Sequence, residues 1–205
     1  MLAGGRGNRL GGKNKSLIEV EGITILQRNL DILRPLFNEI LLSGWSEEAE
    51  LPAGIRSVPD NFPGKGPLAG IEAAMKAATT TYIFVFGGDM PWLSEEIIKS
   101  QVADFLEEPT EVPVLRIKEP AEVPVPRIKA PADVLVPRIN YLTEPLHAIY
   151  SCGLHSSLEA FLRSGERPAV IDFIRLSKVR YHDLSSSEET MKAFTNINTP
   201  EDLHG

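Results

Sequence analysis

Cysteine is nearly absent from this chain. Cys152 stands alone among 205 residues, so no disulfide can close within the chain and no metal site can be built from several thiolates. Long apolar runs are missing as well. None approaches the ~20 residues that a membrane span requires, which excludes a membrane partner of that kind. The first residues are too glycine-rich for a signal peptide, and the expectation is a cytoplasmic protein. Positive charge is in deficit: 21 Lys and Arg face 28 Asp and Glu, a net charge of −7. That argues against nucleic acid, which usually needs a basic face. It does not argue against a nucleotide, because backbone N–H groups, one or two cations and a metal ion can hold phosphates.

What is present reads as an ordinary globular chain. Apolar residues are 42% and charged residues 24%, enough to bury one sizeable core, and the length suits a single domain over residues 1–205. Ile40-Leu-Leu-Ser43, Ile55-Arg-Ser-Val58 and Tyr82-Ile-Phe-Val-Phe-Gly87 are short apolar or alternating runs that predict strands. The third is almost continuously apolar, as in a strand covered on both faces. Helical spacing links Ile25, Leu26, Leu30, Leu33 and Phe37. Leu68 to Ala78 is rich in good helix formers, and Ser94 can cap a helix opened by Glu95 and Glu96. Leu158 to Arg163 also reads as helix, with Gly165 as its C-terminal cap, and Thr199-Pro-Glu-Asp-Leu203 as a helix start. Strands alternating with helices predict a mostly parallel sheet, whose ligands bind beyond the carboxyl ends of the strands.

Residues 107–139 differ from the rest. Arg116-Ile-Lys-Glu-Pro-Ala-Glu-Val-Pro-Val-Pro is followed by Arg127-Ile-Lys-Ala-Pro-Ala-Asp-Val-Leu-Val-Pro and then Arg138-Ile, an 11-residue tandem repeat. Its prolines forbid a helix and fit polyproline-like extension or edge strands. A partner-binding arm and a passive surface insertion are the two readings. The insertion is preferred, because long surface insertions cost little.

Three segments carry chemistry. Leu2-Ala-Gly-Gly-Arg-Gly-Asn-Arg-Leu-Gly-Gly-Lys-Asn-Lys15 has the glycines that let a backbone approach phosphates, with Arg9 and Lys15 to meet negative charge. Part of it nearly spells a P-loop around Lys13. Asn14 stands where that motif needs a hydroxyl, and β-prone Leu17-Ile-Glu-Val20 follows in place of a helix, so the P-loop is set aside. Gly87-Gly-Asp89-Met-Pro91 ends a strand, where the Asp89 carboxylate can hold Mg²⁺ against a triphosphate; a turn or capping aspartate is the plainer alternative. Pro59-Asp60-Asn61-Phe-Pro-Gly-Lys-Gly66-Pro67-Leu-Ala-Gly70 turns from a strand into a helix, as a base- or phosphate-binding turn or as an ordinary loop. His147, alone on a strand, reads as structural.

Taken in this order, the three segments resemble the molybdenum cofactor guanylyltransferases, or MobA-type proteins. The first is similar to that family's L-A-G-G-x-x-x-R-(M/L)-G-G-x-(D/N)-K signature. Gly66-Pro-Leu-Ala-Gly70, Asp89-Met-Pro91, Glu166-Arg167 and Phe194-Thr-Asn-Ile-Asn-Thr-Pro-Glu-Asp-Leu203 resemble later motifs, and the likeness spans residues 1 to about 106 and 133 to 203. The resemblance implies a three-layer α/β, Rossmann-like nucleotidyltransferase fold with helices on both faces of a mostly parallel sheet. It implies GMP transfer from GTP to molybdopterin with Mg²⁺ as cofactor, and transient contact with molybdoenzymes or their chaperones. Another NTP or acceptor, and a non-catalytic nucleotide-binding scaffold, are the alternatives. By the same resemblance Leu2, Ala3 and Gly4 contact the nucleotide through their backbone, Lys15 pairs with phosphate and Arg9 assists. Ser43, where the family often has asparagine, Asp60, Gly66 and Gly70 line the nucleotide site. Asp89 holds the metal, and Asn196 and Asn198 lie near metal or acceptor. Only Met1 precedes Leu2, where the family has an apolar run forming the central strand, so the sheet is expected to lose hydrogen bonds there.

Overall fold

The structure, a computed structural model, describes residues 1–3, 14–45, 51–106, 132–165, 169–198 and 202. A 3-10 turn at Lys15–Leu17 leads to a short ribbon, β1 (Glu19–Val20) with β2 (Ile23–Thr24), and to helix α1 (Ile25–Leu33). Strands β3 (Ile40–Ser43) and β4 (Ile55–Val58) precede α2 (Pro67–Ala77), β5 (Tyr82–Phe86) and α3 (Glu95–Leu106). The second half holds β6 (Val134–Ile139), β7 (Leu142–Thr143), β8 (His147–Ser151), α4 (His155–Ser164), α5 (Val170–Ile174), β9 (Val179–Leu184) and α6 (Glu188–Ala193).

The main sheet runs β4, β3, Leu2, β5, β8, β6, β9. β3 pairs in parallel with β4, and Leu2 bridges in parallel to Ser43 on one side and Gly87 on the other. β8 is antiparallel to β5 and β6, β9 is parallel to β6, and β7 folds back on the end of β6. All strands of that row except β8 therefore point the same way, which puts the ends of β3, β4 and β5 at one edge. Residue alternation assigns the layers. Val85, Val134, Val136 and Tyr150 pack with α2, α4 and α5 on one face. Leu42 and Phe86 pack with Leu26, Leu30 and Leu33 of α1 and with Leu93 and Ile98 on the other. The result is an α/β sandwich of three layers.

Local sequence explains the helix starts. Thr24 accepts from Gln27 N–H at 3.1 Å to cap α1, and Ser94 accepts from Ile97 N–H at 3.3 Å at the head of α3. Gly165 stands at the C-terminal cap of α4, as expected, with an extended backbone at φ −117°.

The repeat is corrected more substantially. Residues 107–131 lie outside the described residues. The end of the last copy is not a surface feature: Val134, Leu135 and Val136 are fully buried in β6, an interior strand. Proline is tolerated at 137 because of where its missing donor points. The Pro137 carbonyl accepts from Glu144 N–H at 3.2 Å, on the β7 side, where the pairing of β6 with β8 has already ended at Leu135. The ladder to β9 therefore loses no donor.

Residues 1–3 fill the place between β3 and β5. Leu2 N–H donates to the Phe86 carbonyl at 3.0 Å, Ala3 N–H to Ser43 at 2.8 Å, and Ser43 N–H to Met1 at 3.0 Å. The Met1 amino group is buried and donates to the Leu41 carbonyl at 3.0 Å; burial pushes its pKa down to about 5. Next to it an apolar groove of about 250 Å³ continues between the two strands, lined by Leu36, Phe37, Ile40, Tyr82 and Phe84. No helix among the described residues is long and apolar enough to cross a membrane.

Candidate active site

Three chain stretches converge at the sheet edge defined above and enclose a pocket of about 600 Å³. Its floor is the seam made by residues 1–3. Gly88 N–H donates to the Leu2 carbonyl at 3.0 Å, and a Cβ on Gly88 would stand 2.7 Å from that oxygen. Helix α2 comes equally close from above: a Cβ on Gly70 would stand 2.5 Å from Ser43 Oγ and 2.9 Å from Leu2 Cδ2. Both glycines are therefore required by close approach. Gly66, with φ 68°, makes the turn into α2, and Pro67 takes the first helical position.

The charged end of the pocket is held by Lys15. Its ammonium donates to Asp89 Oδ2 at 2.9 Å and to Asn198 Oδ1 at 2.7 Å. The Asn14 carboxamide fixes the turn that presents Lys15, accepting from Ser16 N–H at 3.1 Å and from its hydroxyl at 2.7 Å. The segment after α6 is pinned to the same place, since Ile197 N–H donates to the Asp89 carbonyl at 2.8 Å. One carboxylate oxygen and one amide oxygen thus converge on a single cation. Among the described residues no group of three or more His, Cys, Asp or Glu side chains could hold a metal alone. A divalent ion here would draw its remaining oxygens from phosphate or water.

The opposite wall carries Asp60. Ser43 Oγ donates to Asp60 Oδ1 at 3.3 Å, and burial raises the Asp60 pKa, with that hydrogen bond working against the rise and the nearby Glu72 charge adding to it. Of the residues expected in the site, Leu2, Ala3, Lys15, Ser43, Asp60, Gly66, Gly70 and Asp89 all line this one pocket. Asn198 joins it through Lys15. No hydrogen bond or ion pair places the Asn196 side chain in the same cluster. Gly4, Arg9, Glu166 and Arg167, and the segment 199–201 with Leu203, lie outside the described residues.

His147 is elsewhere. Its ring is fully buried in edge contact with Phe84 at 4.9 Å and Phe194 at 4.7 Å, and burial lowers its pKa to about 4. It serves the core as a neutral imidazole. Three residues near the site were not legible beforehand. Glu144 is half-buried, accepts from Leu146 N–H at 3.0 Å, and has its pKa raised by burial and then by the charge of Asp89. Glu72 and His155 pair at 2.7 Å behind the Asp60 wall. Nothing in their spacing announces them, since each reaches the site from a different element.

Comparison with known proteins agrees with this geometry. Residues 1–179 match the family described as the MobA-like NTP transferase domain. A probable molybdenum cofactor guanylyltransferase from Pelotomaculum thermopropionicum is 35% identical, over 99% of this chain and 88% of the relative. A molybdenum cofactor guanylyltransferase from Shewanella sp. is 28% identical, over 98% of this chain and 90% of its own. Among solved structures, molybdopterin-guanine dinucleotide biosynthesis protein A from Archaeoglobus fulgidus superposes with a TM-score of 0.70 at 23% identity, covering 99% of this chain and 93% of that one. The 2-C-methyl-D-erythritol 4-phosphate cytidylyltransferase of Thermus thermophilus shares the fold with a TM-score of 0.62 at 14% identity, over 99% and 93% of the two chains.

Proposed function

The chain belongs to the MobA-like NTP transferase family, and from that premise we propose that it transfers GMP from GTP to the phosphate of molybdopterin. Pyrophosphate leaves, and the product is the guanine dinucleotide form of the molybdenum cofactor. Relatives carrying that activity in their names align over nearly their whole length. The observation that carries the proposal is the convergence of Lys15, Asp89 and Asn198 beside a glycine-walled pocket.

Each residue has a role in that reaction. The backbone of Leu2 and Ala3, at the pocket floor, meets the nucleotide, and Gly66 and Gly70 let the Asp60 wall and α2 approach it closely. Lys15 supplies the positive charge that pairs with phosphate oxygens. Asp89, with Asn198 beside it, would hold Mg²⁺; that their oxygens both turn toward the Lys15 ammonium supports this reading. When bound, Mg²⁺ would neutralise triphosphate charge and favour the departure of pyrophosphate. An oxygen of the molybdopterin phosphate attacks the α-phosphorus of GTP, and the bond from that phosphorus to the β-phosphate oxygen breaks. The acceptor is already ionised, so no strong general base is needed. The described residues lining the pocket accordingly include neither histidine nor cysteine. We place this work in the cytoplasm, where GTP is at hand.

The test is incubation with each of the four NTPs and molybdopterin under Mg²⁺, following pyrophosphate. GTP should turn over fastest. Equal turnover of CTP and GTP removes the base assignment, and nucleotide binding without turnover leaves a scaffold.

A further inference from the structure

Behind the Asp60 wall, a buried carboxylate joins three separate stretches of chain. Glu72, on α2, is 1% exposed. Asn61 Nδ2 donates to its Oε2 at 2.9 Å, and His155 Nε2 lies 2.7 Å from its Oε1. Both oxygens are thereby engaged, one by the loop after β4 and the other by the first residue of α4. Burying a carboxylate costs free energy that an apolar side chain at this position would not. What Glu72 adds is direction: it holds the amide of Asn61, whose residue is otherwise exposed and whose neighbour is Asp60. The same loop meets α4 twice more. The Arg163 guanidinium sits over the Phe62 ring at 5.3 Å, and Lys65 Nζ donates to the Gly165 carbonyl.

We propose that Glu72 is a positioning residue for the nucleotide site, fixing the loop of residues 59–66 through Asn61 while His155 fixes Glu72. The inference rests on the reading of the pocket as a nucleotide seat, and goes beyond it by naming what sets the shape of one wall. None of the three side chains touches the reacting atoms. Their loss should therefore weaken nucleotide binding and leave the chemical step alone.

The experiment uses the full chain with Asn61→Ala, His155→Ala, Glu72→Gln, His155→Gln and the Asn61→Ala/His155→Ala double variant. Turnover and direct nucleotide binding are measured with GTP, or with whichever NTP the wild type prefers. The three single losses should each raise KM about 5-fold or more and change kcat by less than about 2-fold. The double variant should raise KM by less than the product of the two singles, because both act through Glu72. His155→Gln, which keeps an N–H donor for Glu72, should recover most of the affinity. Thermal melting separates a structural role: a lower Tm at unchanged KM overturns the inference, as does a fall in kcat alone or a multiplicative double variant. Wild-type protein that binds no nucleoside triphosphate overturns the reading of the pocket and this inference with it. Wild-type binding with unchanged KM in every variant overturns the inference alone.

Discussion

The sheet is built in two different ways on either side of β5. Toward β9 each strand pairs directly with the next, with five register pairs between β5 and β8, two between β8 and β6 and six between β6 and β9. Toward β4 it is stitched, because β3 and β5 meet only through residues 1–3, where Leu2 alone bridges both neighbours. The candidate site stands on the stitched side. Its parts are loops and close backbone contacts at Gly70 and Gly88, whereas the continuous side contributes buried apolar side chains and one neutral histidine. The half that holds the candidate site has the fewer backbone pairings to lose.

That contrast can be broken most sharply at Asp89. Asp89→Ala should lower Mg²⁺-dependent pyrophosphate release by about 10³-fold, the scale of losing a principal charge-stabilising group, with a melting temperature close to wild type. Turnover near the wild-type level would remove the metal role.

The second effect is on acid stability. His147, buried in the continuous half, has a folded pKa of about 4 against an ordinary value of 6.5, so the unfolded chain binds more protons between those values. The stability it contributes is present above pH 6.5 and is lost as pH falls toward 4, by an amount on the order of 3 kcal/mol. Urea titrations at about pH 7 and pH 4.5 should show the lower midpoint at the lower pH, and His147→Phe should shrink that difference. A difference that persists unchanged in the variant assigns the window to another group.

A smaller effect is expected from Gly88→Ala. Its Cβ would press on the Leu2 carbonyl and push residues 1–3 from their place, at a cost of about 2–3 kcal/mol that calorimetry would read as a Tm roughly 5–10 °C lower. Activity should fall with it, whereas Val136→Ala, in the continuous half, should lower Tm while kcat is kept. Equal losses of kcat in the two variants would erase the distinction between the halves. Smallest of all is deletion of residues 108–129, two full periods of the repeat. The stretch that folds as β6 remains, and shortening the connection between α3 and β6 to about a fifth of its length changes its closure entropy by about 1.5 kcal/mol, with turnover preserved. A large loss would show that the upstream copies contribute.

Much of the stitched half could be read in advance. β3, β4 and β5 lie at the expected apolar runs, and Leu2, Ala3, Lys15, Ser43, Asp60, Gly66, Gly70 and Asp89 share one pocket. Strand ends and glycine-rich turns leave local marks in the chain. The continuous half was harder. Prolines made residues 107–139 look like surface throughout, yet Val134–Ile139 is an interior strand, since only the sheet shows that the donor missing at Pro137 faces β7 and not the ladder to β9.

By itself the sequence determined the alternation of strands and helices, the glycines that allow close approach and the family to which the chain belongs, because those depend on residue type and short-range order. Tertiary structure alone decided that Lys15 faces Asp89 and Asn198, that Glu72 ties Asn61 to His155, and that residues 1–3 bridge β3 and β5. Lys15 and Asn198 are 183 residues apart in the chain, and Glu72 and His155 are 83. Contacts over such separations follow from how whole layers pack, which no local pattern records.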